Sequence, residues 1–329
     1  MAQAADVRPE PNLQRKAAVA HGGVVDHAGR VRIEPIPDFD LDRTIFQTLQ
    51  GRAERFIMKK RIGNAQHWND QAAAQVESTY QQATRDLTLP PVDPELLTFL
   101  KTECDFDVEH ADGSFLDHLY FCYEYGVKHY PEQSALPLLL HSVLGTGTNT
   151  FAMTADKIPA LQALLSEADW RQVQAFPSVL RLLYDDALRA ELRANVHRPD
   201  AIRAVRMHRV IDNEPIELSG EEFWVALNHQ LVHLVDFMPV ANWSAHQNDT
   251  SYILFRELLD ILERSGRLQA SIAYEPPPGG QKVQGEPGGI GSMLANAIPV
   301  GLAQKFAVRS IRRFSKAIGH SLQYTIDWA

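Results

Sequence analysis

The sequence predicts an all-α protein, a helical bundle with an N-terminal helical extension and a C-terminal amphipathic helix. Three observations carry that prediction. Apolar residues recur at three- and four-residue spacing through most of the chain between about residues 42 and 265. Pairs three residues apart that start helices (Ser114/Asp117, Ser166/Asp169 and Ser219/Glu222) stand at the heads of apolar runs. Strand character is confined to residues 202–218, IRAVRMHRVIDNEPIEL, where Asp212-Asn213 can turn a short hairpin.

In chain order, residues 1–36 mix Ala, Pro, Gly and charges without period and read as a flexible N-terminal arm. Residues 37–92 form the helical extension. Its anchors are Ile45, Leu49, Phe56 and Ile57, and Gly63-Asn64 divides it in two. The second helix, Trp68 to Thr84, is rich in Gln and Ala and reads as a surface helix; His67 and Trp68 read as boundary packing residues. Leu89-Pro90-Pro91 is a stop, and residues 93–274 form the main helical domain. Asp93-Pro94 opens it, with Leu96, Leu97, Phe99 and Leu100 apolar.

The stretch from His110 to Thr150 is the most informative. A helix from Ser114 places Phe115, His118, Leu119, Cys122 and Gly126 on one inward stripe. Pro137 enters the first turn of a second helix, apolar nearly all round, with His141 in its middle. Gly145-Thr146-Gly147-Thr148-Asn149 closes that helix, and Thr146, Thr148 and Asn149 are placed to contact a small-molecule substrate. A buried imidazole without a partner costs a few kcal/mol. Either histidine alone fits a core residue bonded to a carbonyl or hydroxyl. Two on adjacent helices bring the ligand reading to equal weight, because neutral imidazole is the commonest metal ligand.

Short helices follow at 156–165 and 166–173, and Pro177 opens the next one. The adjacent acids Asp185 and Asp186 point in different directions and read as solvated. Ser219 and Glu222 cap a helix that ends before Pro239. On it His229, His233 and Asp236 fall at i, i+4 and i+7, on one stripe. Imidazoles at i and i+4 can face a common point, and a carboxylate one turn later can ligate or orient them. A surface His-His-Asp stripe is the alternative of equal weight. Asn242, Trp243 and His246 come next. Asn248 or Asp249 then caps a helix from Ile253 to Glu263, closed by Gly266.

Those residues resemble the HD-domain superfamily, all-helical metalloproteins that are mostly phosphohydrolases. Asp117-His118-Leu119 and Leu140-His141-Ser142 are similar to its first two elements. His110-Ala-Asp-Gly113 and His141-Ser-Val-Leu-Gly-Thr146 are closest to a smaller, uncharacterised HD-like group. Ser142 stands where the family has Asp, and serine is a poor ligand for a divalent ion. The resemblance spans roughly residues 94–265. It implies an HD-domain-like bundle holding a divalent transition metal (Fe, Mn or Zn) on His118, His141 and Asp236, with His229 or His233. His110 would be an orienting residue or general acid–base. The implied activity is metal-assisted hydrolysis of a phosphate ester. An oxygenase resembling myo-inositol oxygenase, or a non-catalytic HD-like module, stands as the alternative.

Residues 275–291 form a Pro/Gly linker to a tail of opposite charge. Residues 281–329 carry six Lys or Arg against two acids, net +4, so the remainder carries −13 of the chain's −9. Lys305, Arg309, Arg312 and Lys316 mark one helical face; Leu302, Phe306, Ser310, Phe314 and Ile318 mark the other. Such a helix over residues 301–318 can dock on its own acidic domain or a partner, the favoured reading, or lie on an anionic membrane surface.

Composition bounds the rest. Hydrophobic content of 45% and charged content of 22% suit a globular core. The net charge of −9 argues against general nucleic-acid affinity, which rests on neutralising phosphates. Two cysteines without a framework, and an N-terminus lacking the apolar core of a signal peptide, point to a reducing, cytoplasmic compartment.

Overall fold

The computed structural model describes residues 51–53, 55–56, 90–104, 109–110, 113–236, 250–272, 290, 294 and 297–329, with 109–110, 113–118, 120–121 and 235–236 as backbone alone. The arm at 1–36, the anchors Ile45, Leu49 and Ile57, His67, Trp68, Asn242, Trp243, His246 and most of the 275–291 linker lie outside the described residues.

Nine helices occur among the described residues. Helix α1 (Pro94–Glu103) starts as its sequence dictates: the Asp93 side chain accepts from the Glu95 N–H, and a proline occupies the first turn. It buries Leu96, Phe99 and Leu100. A two-residue hairpin, β1 (Glu109–His110) with β2 (Gly113–Ser114), leads into α2 (Phe115–His129). Helix α3 (Leu136–Leu139) follows, then α4 (Ile158–Ala163), α5 (Glu167–Tyr184) and α6 (Ala187–Ala194). Strands β3 (Ile202–His208) and β4 (Pro215–Ser219) precede α7 (Gly220–Asp236), α8 (Thr250–Arg264), α9 (Val300–Ala317) and β5 (Thr325–Trp328).

The protein is mostly helical, and the all-α expectation is corrected by a three-stranded antiparallel sheet in the order β4–β3–β5. The expected hairpin forms, pairing Ala204 with Ser219 and His208 with Pro215. Asn213 takes φ 60° in its turn, while Arg209 grips Asp212. Strand β5 is the unforeseen part. It pairs Val205 with Ile326 along the other edge of β3. Four residues carry too little periodicity to announce a strand; β5 exists because β3 offers an open edge.

Three further expectations are corrected. His141 does not sit inside a helix: α3 ends at Leu139, and His141 lies in the turns that follow. Its own Nδ1 lies 2.6 Å from the Leu138 carbonyl, the group a continuing helix would offer to the Ser142 N–H. Pro177 does not open a helix but lies within α5, which runs unbroken from the Ser166 cap. Burial of Phe176, Val179 and Leu183 outweighs the single backbone bond that the proline removes. Asp185 and Asp186 are not merely solvated. Asp185 pairs with Arg312 at 2.5 Å, and Asp186, at φ 75°, pairs with Arg189 at 3.0 Å.

Two buried clusters fill the interior. One joins α5, α7, α8 and the sheet through Phe176, Val205, Phe223, Leu231 and Leu258; the other joins α1, α2, α4 and the 139–144 turns through Leu100, Leu119, Leu140 and Leu161. Helices α2, α3 and α5 all pack on α7, which brings the histidine-bearing segments together.

Candidate functional site

Helix α7 is the platform. Its capping box forms as read: Ser219 N–H donates to Glu222 Oε2 at 2.8 Å, and Glu222 N–H to Ser219 Oγ at 3.3 Å. That start fixes the rotation of the helix, so His229 and His233 face inward, 1% and 4% exposed. The surface-stripe alternative is thereby excluded for these two residues.

His141 and His233 meet. Their ring centroids lie 4.4 Å apart, and Phe176 flanks both, at 5.1 Å from His141 and 5.3 Å from His233. The Leu138 carbonyl can only accept, so Nδ1 of His141 carries a proton. A backbone carbonyl on the far nitrogen is the usual way a ligand histidine is oriented.

His229 lies one turn earlier. It meets Tyr130 edge-on at 5.4 Å, and neither of its ring nitrogens has a hydrogen-bond partner of normal geometry among the described residues. Burial pushes its pKa down to about 4, against smaller raising effects of the Ser134 backbone and the Asp169 carboxylate. The ring is neutral at physiological pH and keeps a lone pair. His118 lies in α2, His110 in β1 and Asp236 at the end of α7, each described as backbone alone. Among the described residues, no group of three or more His, Cys, Asp or Glu side chains could hold a metal ion.

The loop after His141 has an internal role. Thr146 Oγ1 accepts from the N–H groups of Thr148 and Thr150, both at 3.1 Å. Asn149, at φ 62°, donates through Nδ2 to the Phe314 carbonyl at 2.9 Å. Arg181 holds this loop: it donates to the Thr146 carbonyl through Nε (3.0 Å) and Nη2 (2.7 Å), to Asn149 Oδ1 (2.6 Å) and to Ser315 Oγ (3.2 Å). Its guanidinium is fully buried without a carboxylate among the described residues, and burial lowers its pKa to about 10.

Sequence reasoning missed Arg181, Phe176, Tyr130 and His129. The last is 6% exposed and stacks on Tyr125 at 4.2 Å, with Nδ1 3.1 Å from the Ser271 carbonyl. The available signal for Arg181 was a lone arginine inside the apolar run Val179–Leu183. No signal existed for Tyr130, whose hydroxyl donates to Gln269, 139 residues away. No protein-family model, no curated protein and no solved structure matches this chain, so the functional reading stands on the site's own geometry.

Proposed function

We propose that the protein is a metal-assisted enzyme acting on a small molecule, with hydrolysis of a phosphate ester as the reaction. The observation that carries this reading is the convergence of His141 and His233, two buried imidazoles from separate segments, at 4.4 Å. The donor chemistry fits a divalent transition metal. The His141 ring is oriented by the Leu138 carbonyl at Nδ1, and His229 is buried and neutral, its pKa pushed down to about 4. His141 and His233 would hold the ion, with His118 on α2 and Asp236 on α7 as the remaining candidates; among the described residues His229, one turn earlier on α7, does not join His141 and His233 in a three-residue metal group. When bound, the ion would supply Lewis-acid activation of a water and of a phosphoryl oxygen.

The chain's own residues do the rest. Leu138 fixes the His141 ring. Phe176 packs against both imidazoles, tilted on His141 and perpendicular to His233, and this apolar neighbour would strengthen electrostatic interactions at the site. His110 is the candidate proton donor or acceptor for the leaving group. Thr148 and Asn149, both half-buried, lie on the loop that would meet the substrate.

The non-catalytic reading has one observation in its favour: Thr146 and Asn149 direct their polar atoms to partners within the chain. Metal analysis of gently purified protein separates the two. The enzyme reading expects about one equivalent of transition metal, a melting temperature lowered by EDTA, and loss of both metal and phosphatase activity in His141→Ala and His233→Ala. Absence of metal together with EDTA-insensitive melting would overturn it.

A further inference from the structure

Helix α9 is clamped to the body along one side, and the clamp decides what its other side presents. Ala303, Ile311, Phe314 and Ser315 are buried against the protein. Arg312 pairs with Asp185 on the α5–α6 connection, and Gln304 donates to Glu257 on α8 at 3.0 Å. At 100° per residue, that burial turns Leu302, Lys305, Arg309, Arg312 and Lys316 outward, all of them exposed. The row holds four cations and one leucine.

Two features set this row apart from an ordinary solvated face. The helix contains no acidic residue, so none of its cations has an i±4 carboxylate. Lys305, Arg309 and Lys316 are exposed and make no ion pair or hydrogen bond among the described residues. The nearby acids are already engaged: Glu257 with Arg189 and Arg193, Asp185 with Arg312. The N-terminal end of the helix adds the exposed apolar Leu302 (43%) to this row.

We infer that the outward face of α9 docks the protein on an anionic lipid surface. Charge complementarity with phosphate headgroups is supplied by Lys305, Arg309 and Lys316; the exposed Leu302 at the N-terminal end suits the headgroup boundary. The apolar side of this helix is committed to the protein's own core, so it cannot sink into the acyl region as a free amphipathic helix does. Docking is therefore electrostatic, reversible and sensitive to salt. It is peripheral: among the described residues, no helix is long and apolar enough to cross a membrane. A nucleic acid would meet the same cations but has no use for the exposed Leu302.

The test is co-sedimentation of the full chain with vesicles of phosphatidylcholine alone or phosphatidylcholine with phosphatidylserine. The expected result is pelleting with the anionic vesicles only, lost as salt is raised. The triple variant Lys305→Glu, Arg309→Glu, Lys316→Glu should partition roughly 100-fold more weakly. Lys101→Glu, on the exposed side of α1, should partition as the parent does. The neutral triple Lys305→Gln, Arg309→Gln, Lys316→Gln repeats the test should the reversed charges disturb folding. Equal binding to neutral vesicles, binding indifferent to salt, or undiminished binding by both triple variants would overturn the inference. A triple variant that instead changed the oligomeric state would assign the face to a second copy of the chain, with the same consequence.

Discussion

Single residues in this protein show how a polar group is kept in a dry interior. His320 is 5% exposed, with Nε2 3.0 Å from the His208 carbonyl and Nδ1 3.3 Å from Ser315 Oγ. Burial is the main reason its pKa falls from 6.5 to about 4; the His208 carbonyl opposes that shift, and the charges of Arg181 and His208 add to it. The sign follows directly. The unfolded chain takes up a proton near pH 6.5 and the folded chain resists until about pH 4, so stability held above pH 6.5 is lost as pH falls through that window. The loss should reach about 1.4 kcal/mol per pH unit at most. Urea unfolding across this range should show a shallower pH slope in His320→Gln than in the parent. Identical slopes would mean that another group governs the acid loss. The burial of His141 was legible in its apolar neighbours, whereas for His229 and His233 the sequence left a surface stripe equally open, and only the packing of α7 decided it. The meeting of His141 with His233 was not legible, because ninety-two positions separate them and Phe176 stands between two elements with no shared local pattern.

Among elements, helix heads were the most legible feature, since a cap is a local bargain between a side chain and nearby N–H groups. Ser166, whose hydroxyl accepts from the Asp169 N–H at 3.0 Å, and the Ser219/Glu222 box were both readable from sequence. Helix ends were less so: α3 ends at Leu139, with His141 Nδ1 on the Leu138 carbonyl, and α5 runs through Pro177 amid buried neighbours. Two glycines show where one element presses on another. A Cβ at Gly126 in α2 would collide with the Cδ1 tip of Leu138, which can rotate away; a Cβ at Gly220, the first residue of α7, would collide with the Ile202 backbone carbonyl of β3, which cannot. Gly126→Ala should therefore lose about 1–3 kcal/mol and Gly220→Ala more than about 3 kcal/mol in urea unfolding. The reverse order would show that the β3–α7 junction yields more readily than the α2–α3 contact.

At the scale of the molecule, the C-terminal segment closes the fold. Helix α9 packs against α5 and α8 through its apolar side, with Arg312 paired to Asp185, while Lys305, Arg309 and Lys316 of the basic face stay exposed, so charge is not what seats most of the helix. Beyond it, Tyr324 and Trp328 both donate to the Glu191 carboxylate, at 2.8 and 2.9 Å, and the Ala329 N–H donates to the Ala201 carbonyl at 2.7 Å. Deleting residues 325–329 should lower stability by about 2 kcal/mol or more, read as a fall in the urea midpoint. An unchanged midpoint would show that β5 contributes nothing to the sheet. The sequence by itself determined the helical character, the hairpin within 202–218 and the caps at Ser166 and Ser219, because each is set by interactions within a few residues. Only the tertiary structure decided the third strand, the pairing of His141 with His233, the buried Arg181 that ties the 146–149 loop to α9, and which side of α9 meets solvent. Those depend on surfaces that become neighbours only after the chain has packed, and local periodicity carries no information about which surfaces those will be.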